Sequence, residues 1–282
     1  MLWLLNEEVG REKEMVETEM VPKMEKMATG VKATFEVEQM AMRKIMRFFP
    51  YAMDTHEVLI NVNGSGVRFY GMDERRSRIG IFYINKTDMA SFKYDGEQTF
   101  AVDPADFKSV TNELGSGAMM KFNKNGEKIE IETGDAHKKT VGTISSTTPV
   151  YIPDLDMPYG MTLNGKWLYT AIQNLEDMGA EDITFQTVSE NGKIILKLSG
   201  KRDQKTEVIT MLGEKNSFPE GQTARYVTDL LLKTLRLVRD DQLLLRYKTD
   251  IPLKMGIRLQ IKNKQHEYPV KGYYIVAPLV KD

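Results

Sequence analysis

Cysteine is absent from all 282 residues. That excludes disulfides and thiolate zinc sites, and it fits a reducing intracellular compartment. Histidine is scarce: His56, His137 and His266 are the whole set. No two of them fall at a metal-ligand spacing, so each reads as an ordinary surface histidine. No run of eighteen apolar residues occurs, which excludes a helical membrane span. The apolar opening Met1–Leu5 is too short, and lacks the basic flank, for a signal peptide. The phosphate-loop, dinucleotide and nucleophile-elbow patterns are missing as well. Asp154 and Asp156 could be taken for metal ligands, but in a proline-flanked stretch they read as solvated charge. No catalytic constellation, cofactor site or metal site emerges, and the chain reads as a non-enzyme.

There is also no excess charge of one sign. The formal net charge is −1, with 41% hydrophobic and 28% charged residues, enough apolar material for a packed core under a solvated surface. The distribution is uneven. Residues 1–26 hold seven glutamates against four bases, a net of −3, which leaves +2 on the remainder. Residues 1–29 therefore read as an acidic N-terminal extension.

Beyond it the chain runs through one plan twice. A strand at 31–37 precedes an amphipathic helix at 38–49. Strands follow at 57–63, 66–72, 78–85 and 92–102, the last broken at Asp95-Gly96. Asp103 caps a short helix with Pro104 at its first position. A hairpin turns at Asn125-Gly126 between 119–123 and 128–133, and 140–144 ends the half. The second half repeats this. Its strand at 161–163 leads to a helix at 166–178, capped by Asn164 and stopped by Gly179. A hairpin turns at Asn191-Gly192, a strand covers 207–211, and a helix is expected at 223–238. Strands at 243–248, 253–261 and 273–277 finish the half. This order is not the strand–helix alternation of a parallel sheet, so the class is α+β with antiparallel sheets. The linker 145–158 contains three prolines and divides domains at 30–144 and 159–282.

The helices carry a charge pattern. Arg43, Lys44 and Arg47 share one face of the first, opposite Ala41, Ile45, Phe48 and Phe49. On the last, Arg225, Lys233, Arg236 and Arg239 oppose Val227, Leu230, Leu231, Thr234 and Val238. Asp229 and Leu232 interrupt that stripe. Such faces suit phosphates without reading bases, though a solvated helix face has the same composition. Arg75, Arg76 and Arg78 form a further basic cluster on a strand connection.

Ala224-Arg225-Tyr226, Thr249-Asp250-Ile251-Pro252-Leu253 and Tyr273–Val280 resemble, in order, segments of the proliferating cell nuclear antigen (PCNA) family of DNA sliding clamps. Gly66–Asp73 resembles a strand of that family, and Val150–Asp154 its interdomain connector; the resemblance covers about residues 30–282. It implies two similar domains, each with antiparallel sheets and two helices, joined head to tail in a trimeric ring around double-stranded DNA. It also implies an intracellular protein, working with replicating DNA, that tethers DNA polymerase, clamp loader, ligase and nucleases through short peptides. Carried over by position, Arg43, Lys44, Arg47, Lys108, Lys166, Arg225, Lys233 and Arg236 would face DNA. Met72, Arg76, Val150, Ile152, Pro252, Ala277, Pro278 and Val280 would line the peptide groove. Two departures stand out: arginine at position 76, and a segment after Met211 too short for the family's extra strand. A subunit of a heterotrimeric or checkpoint-type clamp, a metal-dependent nucleic-acid-processing enzyme and a scaffold that never touches DNA are the competing expectations.

Overall fold

In the computed structural model, the described residues are 32–113, 119–134, 137–144, 155, 157–202, 205–214, 216–259 and 270–279. The acidic extension, most of the linker and the last three residues lie outside them.

Three antiparallel sheets carry the fold. The first holds five strands from the first half of the chain. In spatial order they are β5 (Ser91–Tyr94), β1 (Lys32–Glu38), β7 (Met119–Asn125), β8 (Lys128–Thr133) and β9 (Lys138–Gly142). The second holds eight strands drawn from both halves: β10 (Met161–Asn164), β15 (Gln242–Arg246), β16 (Leu253–Leu259), β17 (Val270–Val276), β4 (Arg78–Asn85), β3 (Gly66–Met72), β2 (Val58–Asn63) and β6 (Gln98–Val102). The third holds β13 (Lys205–Met211), β12 (Lys193–Arg202), β11 (Asp182–Glu190) and β14 (Thr223–Val227). The β4–β17 ladder, from Lys271 opposite Tyr83 to Val276 opposite Arg78, joins the two halves into one continuous sheet.

The helices are α1 (Gln39–Phe48), α2 (Pro104–Glu113), α3 (Gly165–Asp177) and α4 (Thr228–Val238). They lie side by side in the order α2, α1, α4, α3. Local chemistry sets their starts. Asp103 accepts from Ala105 N at 2.7 Å, and Asn164 Oδ1 accepts from Lys166 N at 3.0 Å. Glu38, expected inside the first helix, is instead its cap: its carboxylate accepts from Ala41 N at 2.7 Å, putting an anion at the positive end of the helix dipole. Gly179, at φ +94°, stops α3 as its position implied.

Two further helix boundaries differ from expectation. The first helix does not run evenly to Phe49; Pro50 removes an N–H and the chain widens into a single π turn, Phe49–Met53. The last helix starts at Thr228, because 223–227 pairs with β11 as strand β14. Ala224 and Tyr226 are buried while Arg225 and Val227 are half-exposed, the two-residue period of a strand. Arg225 is therefore not on the helical stripe. On α4, Leu232 and Leu235 are buried with Leu231 and Thr234. The apolar arc is wide because this helix packs against both α1 and α3 as well as the sheets. Leu232 belongs to the core and does not interrupt an exposed stripe.

One core runs between helices and sheets through both halves. Gly71 and Gly80 face each other across β3–β4, beneath the rings of α1 and the π turn. A Cβ at Gly80 would stand 2.7 Å from Phe48 Cε1, and one at Gly71 would stand 3.1 Å from Phe49 Cδ1. Glycine at both positions lets the two phenylalanines lie on the sheet.

The core also buries Tyr226, Tyr247 and Tyr274. Burial pushes all three phenols up, Tyr274 to about 12. The folded state favours the neutral phenol, so its contribution is complete below the unfolded value of about 10 and is lost as pH climbs through 12. Urea unfolding followed from pH 8 to 12 should show stability level up to about pH 10 and falling above it. Tyr274→Phe should flatten the fall and lose the bond from the Tyr274 hydroxyl to Leu230 O, 3.1 Å.

Candidate nucleic-acid interface and partner groove

Because the helices form one layer, the side of each helix away from the sheets contributes to one surface. The sequence candidates divide on it. Arg47, Lys108, Lys166 and Arg236 are exposed, and none has a carboxylate at ion-pair distance among the described residues. Lys233 pairs with Asp229 one turn earlier at 2.9 Å, a half-solvated contact that exchanges readily.

Lys44 is differently occupied. Its ammonium donates to both carboxylate oxygens of Asp241, at 2.7 and 2.8 Å, and Asp241 is 4% exposed. The backbone of the same residue joins two more helices: Asp241 O accepts from Gly165 N, and Asp241 N donates to Val238 O. Lys44 thus ties α1 to the junction of α3 and α4. Arg43 is half-exposed beside it. Arg225, on β14, lies 3.5 Å from Asp182 through its Nε, and its carbonyl accepts from Leu279 N in the C-terminal tail. The layer also exposes residues that charge reasoning passed over: Met40, Tyr51 and Trp167, the last 63% exposed. Only an apolar residue placed in register with the basic stripe would have marked them in the sequence.

The opposite face of the central sheet carries a second, separate apolar cluster. Leu59, Tyr70, Ile79, Ile81 and Ile275 form it, with Met72, Tyr273 and the linker residue Leu155 packed against it. Strand alternation explains the split: Phe69, Gly80 and Phe82 point to the helices, and Tyr70, Ile79 and Ile81 point away.

At one end of this patch the landmark residues converge. Leu253 is opposite Val276, which brings Pro252 beside Ala277. Ala277 N donates to Ser77 O at 2.8 Å, next to Arg76. Pro278 follows in the same tail. Val150, Ile152 and Val280 lie outside the described residues.

The loop holding Arg76 is built on Asp73. Its buried carboxylate accepts from Ser77 N, Ser77 Oγ and Arg78 N, each at 2.7 Å, and from Arg78 Nε at 3.3 Å. Buried Arg78 also donates to Ala52 O in the π turn at 2.7 Å. Within this cage Arg76 sits exposed, with φ +54°. Arg78 is thus a structural cation, and the basic cluster separates into one buried arginine and two exposed ones.

The short segment after Met211 has a counterpart in the structure. In the first half β5 pairs with β1 over four residues. In the second, among the described residues, Glu214 forms an isolated bridge to Thr162 of β10, with bonds of 2.9 and 3.0 Å, and Ser217 N donates to Gly160 O at 2.9 Å. A single bridge stands where the first half has a strand. Among the six sheet-edge strands of the described residues are β9, paired with β8, and β13, paired with β12. On and just beyond β13, Val208 and Leu212 are 52% and 63% exposed.

No family model matches the chain. Its sequence is similar to the DNA polymerase sliding clamp of Thermoplasma acidophilum, 23% identical over 227 residues, covering 79% of this chain and 89% of that protein. The sliding clamp of Thermoplasma volcanium is 22% identical over the same shares. Among solved structures, A. fulgidus PCNA bound to the C-terminal region of FEN-1 superposes with TM-score 0.75 at 16% identity, covering 89% of this chain and 99% of that one. PCNA from Thermococcus kodakaraensis gives 0.74 at 16% identity, over 88% of this chain and all of that one. The PCNA2–PCNA3 complex of Sulfolobus tokodaii gives 0.71 at 19%, over 87% and 98%. With its sequence similar to sliding clamps along four-fifths of its length and its three sheets and helix layer superposing on theirs, the chain has the DNA-clamp fold of the PCNA family.

Proposed function

We propose that the chain is a DNA polymerase sliding clamp, a scaffold rather than an enzyme. Copies join head to tail into a closed ring around double-stranded DNA, with the helix layer turned inward. The observation that carries this is the helix layer itself. Four helices side by side present Arg47, Lys108, Lys166 and Arg236 away from the sheets without a carboxylate partner among the described residues. Arg43 of α1 and Lys233 of α4 are half-exposed on the two inner helices, and Arg225 lies on β14. Cations spread thinly over a broad surface attract phosphates of any sequence and leave the duplex free to slide.

Each chain supplies two clamp domains, 30–144 and 159–282, joined by 145–158. Two similar halves in three chains make a near six-fold ring, and a heterologous contact closes when its rotation suits that number. The edges β9 and β13 are suited to pair across copies, since an unpaired strand edge recruits a strand. Light scattering on the purified chain tests this: a mass of three chains is expected. A monomer at high micromolar concentration would overturn the homomeric ring and point to a ring of different chains.

The apolar patch around Met72, Leu155 and Ile275, with Arg76, Pro252, Ala277 and Pro278 at its end, receives short peptides of polymerase, clamp loader, ligase and nucleases. Val150, Ile152 and Val280, outside the described residues, belong to the groove by sequence resemblance alone. A. fulgidus PCNA bound to the C-terminal region of FEN-1 is a precedent for a partner's terminal segment held on this fold. A peptide with one aliphatic and two aromatic anchors should bind in a helical turn. Met72→Ala, which removes a flexible apolar contact, is expected to cost about 1–2 kcal/mol of peptide affinity in calorimetric titration and leave the oligomeric mass unchanged. Full affinity in that variant would move the groove elsewhere.

A further inference from the structure

We infer that Tyr51 organises a phosphate-binding spot, gathering Arg47 of α1 and Lys108 of α2 around one aromatic ring; this rests on the duplex-facing role proposed for the helix layer. The π turn forced by Pro50 turns Phe49, Ala52 and Met53 into the core and leaves Tyr51 outside, 40% exposed. An exposed tyrosine at this point gains little from burial. Two cations stand over it instead. The Arg47 guanidinium carbon is 6.0 Å from the ring centroid and Lys108 Nζ is 5.2 Å from it. The electron-rich face of the ring attracts both.

The ring is the group these two like charges share. They come from different helices, each on a long flexible stem, and neither has an ion-pair partner among the described residues. Asp103, the carboxylate that caps α2, is engaged by Ala105 N. Cations already gathered lose less freedom on meeting a phosphodiester than cations that must be ordered first. The phenolic hydroxyl adds a third donor at the same place. Sequence patterning finds the two bases but not the group that joins them.

The test is duplex binding followed by fluorescence anisotropy at several salt concentrations, with wild type, Tyr51→Leu, Tyr51→Phe, Arg47→Ala and the Tyr51→Leu/Arg47→Ala pair. Tyr51→Leu is expected to weaken binding roughly 3- to 10-fold and to reduce the salt slope by about one phosphate contact. Tyr51→Phe, which keeps the ring, should retain most of both. Arg47→Ala should cost less in the Tyr51→Leu background than in wild type, because the two residues act as one unit. Wild-type affinity and slope in Tyr51→Leu would overturn the inference, as would Tyr51→Phe binding as weakly as Tyr51→Leu. A Tyr51→Leu protein that melts earlier but keeps the full salt slope would assign Tyr51 a purely structural role. Wild-type protein with no salt-dependent duplex binding would instead overturn the duplex-facing role of the whole layer.

Discussion

Lys44→Ala is expected to destabilise the protein by about 2–3 kcal/mol while changing duplex affinity less than Arg47→Ala does. Asp241 is 4% exposed, and Lys44 supplies two of the hydrogen bonds that satisfy its carboxylate. Removing the ammonium takes two hydrogen bonds and a positive charge from a buried anion, the costly way to break an ion pair. Water still reaches the lysine, whose side chain is 31% exposed, which sets the figure below that of a fully buried pair. The damage should also spread. The Asp241 turn holds Gly165 at the start of α3 and Val238 at the end of α4, so the junction of three helices loosens together. Urea denaturation measures the loss. Lys44→Met combined with Asp241→Leu should recover much of it, since neither charge then remains to be satisfied. A single Lys44→Ala variant as stable as wild type would remove the junction as a stabilising element. The same geometry separates Arg43, Lys44 and Arg47, which share one helix face in the sequence: replacing Lys44 harms the fold. Arg47→Ala is the cleaner probe of the duplex-facing surface.

Val208→Lys is expected to dissociate the oligomer while leaving the melting of the isolated chain nearly unchanged. Val208 lies on β13, which among the described residues pairs on one side only, with β12. Its side chain is 52% exposed and Leu212 just beyond it is 63% exposed. An apolar side chain on a free edge gains most when a second strand covers it, and a lysine there is a familiar means of blocking edge pairing. A buried, unpaired ammonium at such a contact costs on the order of 3 kcal/mol, more than a hundredfold in association. Light scattering over a concentration series reads this as a shift from ring mass to single-chain mass. Val208→Thr, similar in shape and still suited to a strand, should assemble. If Val208→Lys assembles as wild type does, β13 is not the contact strand.

Much of the fold was legible along the chain. Asn125-Gly126 and Asn191-Gly192 marked hairpins, and the structure has both turns, with Gly126 at φ +60° and Gly192 at φ +72°. Asn164, Asp103 and Gly179 marked helix ends correctly. These features are local: a cap, a turn or a left-handed glycine depends on neighbours within four residues, so sequence carries the whole signal. The α+β class and the doubled plan followed from the same spacing.

What failed locally did so for a tertiary reason. Residues 223–227 show apolar spacing that a helix and a strand can both accept. Only the partner strand β11, far away in sequence, decided for the strand and took Arg225 off the helix. Pro50 announced a break, but that the break would be a π turn displaying Tyr51 between two cations depended on Phe48 and Phe49 settling over Gly80 and Gly71.

The candidate surfaces divide in the same way. Sequence by itself determined which helices carry bases and which segments resemble clamp landmarks, because side-chain type and periodicity are written in order along the chain. Which bases are free was decided only by the tertiary structure. Lys44 is engaged because Asp241, 197 residues later, is buried within reach, and Arg78 is structural because Asp73 and Ala52 O close around it. Charge has to be balanced wherever water is excluded, and where water is excluded is known only once the sheets and helices have packed.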